Sequence, residues 1–384
     1  MTDSTDTNPR LTRLTVSNYR SIGENVSIDF EPLTVLVGIN GSGKSNLLDA
    51  PRFIAHALSN GLNDAIESRD GFRAIQRQTG GRRGAVRIEV ALRGDQWEAT
   101  YSVLIGAARD DDYLVKQERL DVSAAGGRTD FLQKNSKGDV KTTWDGLRSP
   151  VRDSRNLALI AVGGDERIAP VVSALRAIET YSLSPDKLRQ APEPGQPGYL
   201  SKLGEHWPST VKALTRRRFA LTDLRVALEQ VTGDIIDVRT RRSGDGRLYV
   251  EFQHAGDDDW TKWLPAARES DGTLRVAGIL TALTQHPPLS FIGIEEPEQT
   301  VHPGVLSILN DFLVEASSKS TVAVTTHSPD LLDLVQPSAL RVVNRFGGIT
   351  RVGRLDPSQA ELVRRQLESP GGLLRSQGLR SEGA

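Results

Sequence analysis

Gly38-Ile39-Asn40-Gly41-Ser42-Gly43-Lys44-Ser45, set between Leu33-Thr34-Val35-Leu36-Val37 and Asn46-Leu47-Leu48-Asp49-Ala50, decides the fold. The run ahead reads as a buried strand and the segment behind as the opening of a helix, so the octet is a strand-to-helix turn. It carries the full GxxxxGKS spacing of a phosphate-binding loop. In such a turn the backbone N–H groups and the positive helix end face an anion, and the glycines let it approach. Lys44 then sits between the β- and γ-phosphates, and Ser45 offers its hydroxyl to magnesium. A lone Gly-rich turn would say little. The complete octet with its flanks points to a nucleoside triphosphate held by Asn40, Gly41, Ser42, Gly43, Lys44, Ser45 and Asn46, with Lys44 also in the catalytic set.

A chain of 384 residues exceeds the usual single-core size, so one large α/β domain with an insertion, or two domains, is expected. Its 48 basic and 49 acidic residues leave a net charge of −1. No global field draws such a protein to nucleic acid, and DNA contact would need a local patch. Arg82-Arg83, Arg216-Arg217-Arg218, and Arg239 with Arg241-Arg242 are the basic runs available. The absence of cysteine excludes disulfides and cysteine-ligated metal and fits the cytoplasm. Residues 1–9 lack the apolar core of a secretory signal, and no stretch approaches a membrane span.

Residues 1–10 read as a disordered leader. Residues 11–150 read as an N-terminal lobe: strands at 11–16 and 26–30, the P-loop, a helix from about Ser45 that bends at Pro51, and antiparallel strands over 85–104 and 113–122. Only a hairpin or loop is expected over 123–146. Residues 151–260 read as a helical insertion and its return, with helix at 169–180, loop at 191–198, one or two helices at 211–231, and strands at 235–239 and 247–252. The C-terminal lobe, 261–355, has a helix at 274–283 and the unit 289–294, 305–316 and 321–325. That unit is strand, helix, strand, so its strands are expected parallel to the P-loop strand. An edge hairpin at 339–346 and 348–352 closes the fold. A terminal helix at 360–368 and a loose tail after Pro370 are expected in 356–384.

Glu295 and Glu296 end the strand at 291–294, at the carboxyl edge where open α/β sheets bind ligands. One acid there can hold magnesium and the other can orient or deprotonate the attacking water. Taken alone, adjacent acids before Pro297 also fit a helix N-cap cluster. Ser270-Asp271-Gly272 alone is an N-cap turn, His327 before Ser328-Pro329 alone is a capping residue, and Arg20 alone is a surface charge.

Together the segments Asn18-Tyr19-Arg20-Ser21-Ile22, the P-loop, Ser270-Asp271-Gly272-Thr273-Leu274-Arg275, Glu295-Glu296-Pro297-Glu298 and Thr326-His327-Ser328-Pro329 form an ordered set. That set resembles the ABC-type ATPases of the RecF and SMC-like group, especially soluble AAA-domain proteins related to the overcoming-lysogenisation-defect nucleases. The likeness runs from Leu11 to about Val352 and is weakest over 130–260. It implies an α/β ABC-type P-loop NTPase head with an antiparallel β subdomain and a helical insertion, binding ATP and magnesium. It further implies that Glu295 joins Ser45 as the magnesium-associated pair, that Glu296 is the catalytic glutamate, and that His327 is the switch histidine. Ser270, Asp271 and Gly272 match the signature that closes over a partner's nucleotide, which implies a head-to-tail homodimer around two ATP. Arg20 and Ser21 match the entry segment near base and phosphates.

Three departures stand out: Glu269 in place of an apolar residue before the signature serine, the run 299–302 after the acids, and no clear magnesium-sensing glutamine, for which Gln117 is the candidate. The chain ends soon after the ATPase core, so a Toprim nuclease is not expected. The resemblance then implies an ATPase serving a separate DNA-associated or antiphage effector. A low-turnover ATP-dependent scaffold, and a RecF-like repair ATPase on duplex DNA, stay open beside it.

Overall fold

The computed structural model describes residues 8–77, 84–108, 112–124, 127, 129–147, 153–195, 198–216, 218–256 and 261–382. In chain order its strands are β1 (Arg10–Ser17), β2 (Val26–Asp29), β3 (Leu33–Val37), β4 (Val86–Arg93), β5 (Trp97–Ala107), β6 (Tyr113–Ala124), β7 (Thr129–Asn135), β8 (Val140–Thr142), β9 (Ile178–Tyr181), β10 (Ile235–Arg242), β11 (Leu248–Ala255), β12 (Thr261–Pro265), β13 (Phe291–Glu295), β14 (Thr321–Thr326), β15 (Leu340–Phe346) and β16 (Ile349–Gly353). They form three sheets, of order β2-β1-β4-β5-β6-β7-β8, β16-β15-β3-β14-β13-β9 and β10-β11-β12.

The second sheet is the centre of the molecule. The P-loop strand β3 lies parallel between β14 and β15, and β13 lies parallel beyond β14. Alternate residues of each strand feed two different cores. Leu36, Phe291, Ala323 and Val343 join one cluster, while Val35, Val37, Ile292, Ile294, Val322, Val324 and Val342 join the other. Strands buried on both faces read as continuous apolar runs for this reason. The first cluster packs the P-loop helix, Lys44–Asn60, beneath the antiparallel sheet. The second packs helices Trp207–Leu214, Asp271–Thr284 and Leu306–Ser317 on the opposite face. Layering of this kind places the carboxyl-end loops of the parallel strands, the P-loop included, along one edge, while β16 runs antiparallel to β15.

The α/β head with its antiparallel subdomain is as expected, and four local expectations are corrected. The helix expected over 169–180 stops at Arg176, and Ile178–Tyr181 becomes a strand parallel to β13. Apolar residues at 171, 172, 174 and 175 carry a helical period, but Ile178 and Tyr181 are buried by a sheet edge the sequence does not reveal. The insertion expected as helical therefore supplies a strand to the central sheet, and its return strands β10 and β11 make a further sheet with β12. Of the expected leader, residues 1–7 lie outside the described residues. Asn8 donates to the carbonyls of Leu289 (3.0 Å) and Lys319 (2.9 Å), and Arg10 already belongs to β1. The expected tail holds a helix, Pro370–Ser376, whose Leu373 is fully buried. Ser369 caps that helix by accepting from the Gly372 amide at 3.0 Å. The P-loop helix continues through Pro51, which is buried.

Candidate nucleotide site

The loop after β3 is shaped by glycines at positions where a side chain has no room. A Cβ on Gly38 would lie 2.2 Å from the Val343 carbonyl, and one on Gly43 would lie 2.1 Å from the Thr350 hydroxyl. Gly43 also has φ +105°, a conformation costly for any residue with a Cβ. Gly41, at φ +74°, faces open space. The loop encloses a cavity of about 430 Å³ lined by Ser21, residues 40–46, Glu296 and Arg345. Lys44 is buried and donates to the carbonyls of Gly38 (2.6 Å) and Ile39 (3.2 Å). Burial lowers its pKa against the pull of Glu296, Glu298 and Glu295. The buried Ser42 hydroxyl has no hydrogen-bond partner among the described residues.

Ser45 and Glu295, 250 residues apart in sequence, meet here: the Ser45 hydroxyl donates to Glu295 Oε2 at 3.0 Å. Two hard oxygen donors side by side suit magnesium. Glu296 follows at φ +47°, a left-handed backbone that costs a non-glycine residue on the order of 1–2 kcal/mol. Its amide donates to the Thr325 carbonyl at 2.9 Å, so the strained turn is fixed by β14. His327 Nδ1 lies 3.4 Å from Glu296 Oε1, and Gln299 donates to the other carboxylate oxygen. Glu298 accepts from the Thr326 hydroxyl at 2.5 Å and from the His327 amide at 3.4 Å, with its second oxygen buried and unpartnered among the described residues. At the loop's far side Asn46 donates to Ser21 Oγ at 2.7 Å, and Arg20 reaches Asn46 at 3.5 Å and Asp49 at 3.6 Å.

The signature residues stand apart from their own P-loop. Ser270 caps the helix Asp271–Thr284 by accepting from the Thr273 amide at 3.1 Å. A Cβ on Gly272 would lie 2.4 Å from the Thr300 carbonyl, so the turn packs on the loop that follows the acids. Ser270 and Gly272 line a separate cavity of about 330 Å³ with Thr300 and His302. Glu269, the departure before the signature, bonds His254 at 3.1 Å, which also meets Asp234 at 3.0 Å. Arg189 donates to the Glu269 carbonyl at 3.0 Å and to the Asp271 carboxylate.

Other residues at the site escaped the sequence reading. Arg275, buried in the signature helix, donates to the carbonyls of Leu183 (2.8 Å), Glu295 (3.0 Å) and Glu296 (3.1 Å). A charge inside the apolar run Leu274-Arg275-Val276 was the available signal. Lys202 Nζ lies 4.0 Å from Glu295 Oε1, and Arg345 reaches the P-loop from β15; neither has a local sequence signal. Gln117 belongs to β6, opposite Leu104 and Asn135, and is not among the residues lining the P-loop cavity. Of the basic runs, Arg82, Arg83 and Arg217 lie outside the described residues. Arg239 stacks on Trp263 and pairs with Glu251 at 2.8 Å, while Arg241 lies 4.0 Å from the same acid. Among the described residues no helix is long and apolar enough to cross a membrane, and no group of three or more His, Asp or Glu is placed to hold a metal.

A family model described as "AAA domain, putative AbiEii toxin, Type IV TA system" matches residues 33–333. No curated protein sequence matches the chain significantly. Among solved structures it is similar to an Smc head bound to the C-terminal winged-helix domain of ScpA, at 15% identity and TM-score 0.54 over 91% of this chain and 99% of that one. It is also similar to an Smc head with an extended coiled coil bound to the C-terminal domain of ScpA, derived from Pyrococcus furiosus. That match has 14% identity and TM-score 0.52 over 94% and 99% of the two chains. At such identities the likeness concerns the fold, an SMC-type ATPase head.

Proposed function

The chain belongs to this AAA-domain family, and on that premise we propose that it is a magnesium-dependent ATPase that pairs with a second copy around ATP and drives a separate effector. The observation that carries the reading is the convergence of Ser45, Glu295, Glu296 and His327 beside Lys44, the four joined in two pairs distant in sequence, Ser45 with Glu295 at 3.0 Å and His327 with Glu296 at 3.4 Å. The P-loop cradle suits a triphosphate because its glycines leave the backbone bare and its lysine donates to the Gly38 and Ile39 carbonyls, which a phosphate can replace with a charge-assisted bond.

In this reading Ser45 and Glu295 hold magnesium, which when bound neutralises charge on the phosphate oxygens. Glu296 orients the attacking water and accepts its proton, and His327 fixes the carboxylate through the contact at Oε1. Lys44 turns from the Gly38 and Ile39 carbonyls to the β- and γ-phosphates. Ser270, Asp271 and Gly272, set away from their own P-loop, are available to a partner's nucleotide, which supports a head-to-tail dimer. The family's description as a type IV toxin–antitoxin component supports service to a defence effector in preference to repair. The pairing of Arg239 and Arg241 with Glu251 argues against that patch as a DNA surface. The cytoplasm is the proposed location.

Magnesium-dependent ATP turnover by wild type and Glu296→Gln, each followed by solution mass with ATP present, tests the reading. The expected result is turnover in the wild type, reduced about 10²–10⁴-fold in the variant, which accumulates as an ATP-bound dimer. Equal turnover in both proteins would remove Glu296 from its role.

A further inference from the structure

We propose that Arg345, near the tip of the β15–β16 hairpin, is a second phosphate-binding cation of the nucleotide site; the proposal rests on the nucleotide reading above. The hairpin turns through Gly347 and Gly348, at φ +54° and +79°, the two successive left-handed residues that a tight two-residue hairpin requires. That turn closes the pair Phe346 and Ile349 and sets Arg345 directly opposite Thr350. Directly opposed residues of an antiparallel pair project from the same face. Thr350 shows which face this is: fully buried, it donates to the Ser42 carbonyl at 2.7 Å and lies 2.7 Å from the Ser21 hydroxyl. Its amide donates to the Ser21 carbonyl at 2.8 Å. The hairpin is therefore latched to both the P-loop and the entry segment, and Arg345 is carried to the cavity on a rigid support.

Once there, the guanidinium uses little of its capacity. Its Nη1 donates to the Gly41 carbonyl at a long 3.3 Å, and no carboxylate pairs with it among the described residues. An arginine has five N–H donors in a planar fork suited to phosphate oxygens. Arg345 lines the same cavity as Lys44, but from the strand on the other side of β3 from the acids. Lys44 is buried under the loop, whereas Arg345 is exposed at its rim. A triphosphate in the cradle is thus met by one cation from within and one from the rim. A neutral carbonyl contact at 3.3 Å is readily exchanged for a shorter charge-assisted one.

The competing role is a structural strut on the Gly41 carbonyl, and the choice of variants separates the two. Binding of ATP, ADP and inorganic tripolyphosphate would be measured by calorimetry with magnesium on the full chain carrying Arg345→Ala, Arg345→Gln or Arg345→Lys, alongside wild type and Lys44→Ala. Arg345→Ala is expected to weaken ATP and tripolyphosphate about 10- to 100-fold, with the melting temperature of the nucleotide-free protein unchanged. Lysine should restore part of the loss, since it keeps the charge without the fork, and glutamine should not. Rescue by glutamine, which can still donate to Gly41, would overturn the proposal, as would unchanged binding in Arg345→Ala. A wild type that binds none of the three ligands would instead overturn the nucleotide reading and this inference with it.

Discussion

Arg275 joins the helix capped by Ser270 to the carbonyl of Glu296, 3.1 Å from its guanidinium, and to that of Glu295 at 3.0 Å. The side chain is 7% exposed. One buried cation therefore grips the backbone of both strand-end acids from the helix that carries the signature turn. In a dimer of the proposed kind the acids serve a protomer's own nucleotide and the signature serves its partner's. Arg275, beside the packing of Gly272 on the Thr300 carbonyl, is a direct link between the two.

Arg275→Met keeps much of the apolar stem but leaves the buried Leu183 carbonyl and the part-buried carbonyls of Glu295 and Glu296 without a charged donor. Unfolding free energy is expected to fall by about 2–4 kcal/mol, read from urea titration. Turnover is expected to fall at least about tenfold while ATP affinity changes by less than about threefold, the pattern of a group that acts on the transition state. Turnover equal to wild type would show that the grip on Glu296 has no kinetic role.

Lys202 stands 4.0 Å from Glu295 Oε1, and in the proposed magnesium site it would compete with the cation for that carboxylate. Partly exposed pairs of this length are weak, so Lys202→Ala should lower the magnesium concentration for half-maximal ATP turnover by no more than about fivefold. A rise would mean that the amine assists the site and does not compete within it.

Acid stability should depend on Asp49, in the P-loop helix. Burial by itself would raise its pKa, but the paired Arg69 guanidinium, aided by the Tyr19 hydroxyl and Arg20, outweighs it and holds the value at about 2. The carboxylate accepts from Arg69 at 2.8–3.2 Å and from Tyr19 at 2.5 Å. Its folded pKa lies below the unfolded value, so the stabilisation is fully present above about pH 4 and is lost as pH falls towards 2. A shift of this size corresponds to roughly 2–3 kcal/mol. The unfolding free energy of wild type should therefore fall more steeply than that of Asp49→Asn across this window, as followed by denaturant titration at each pH. Parallel curves would remove Asp49 from the acid response.

Much of the site was legible because its chemistry is carried by short contiguous words. The octet at 38–45 implied a strand, a turn and a helix at once, and all three are present. Glu295-Glu296 and His327 were placed by the buried strands that deliver them, β13 and β14, whose short apolar stretches, residues 291–294 and 322–324, have few other readings. Legibility ended where a role depends on what a distant segment brings. Gln117 was chosen for want of a local signal, and its strand belongs to another sheet. Ile178–Tyr181 looked like the end of a helix because the four residues carry no period of their own. The tail after Pro370 was judged by composition, yet its helix docks through the buried Leu373, Leu374 packed on the core and Arg375 paired with Asp330.

By itself the sequence determined the parallel strands, the strand-turn-helix loop at 38–45 and the strand-end position of Glu295 and Glu296, since apolar periodicity, glycine freedom and strand-end position act within a few residues of the chain. Tertiary structure decided which charges meet those groups. Arg275, Lys202 and Arg345 come from a helix, a loop and a hairpin separated from the P-loop by over 150 residues, and electrostatic contact depends on distance in space, which sequence separation does not record. It also decided that the signature turn stands away from its own P-loop, a relation between two rigid elements fixed only when the central sheet and the helices on its face have packed.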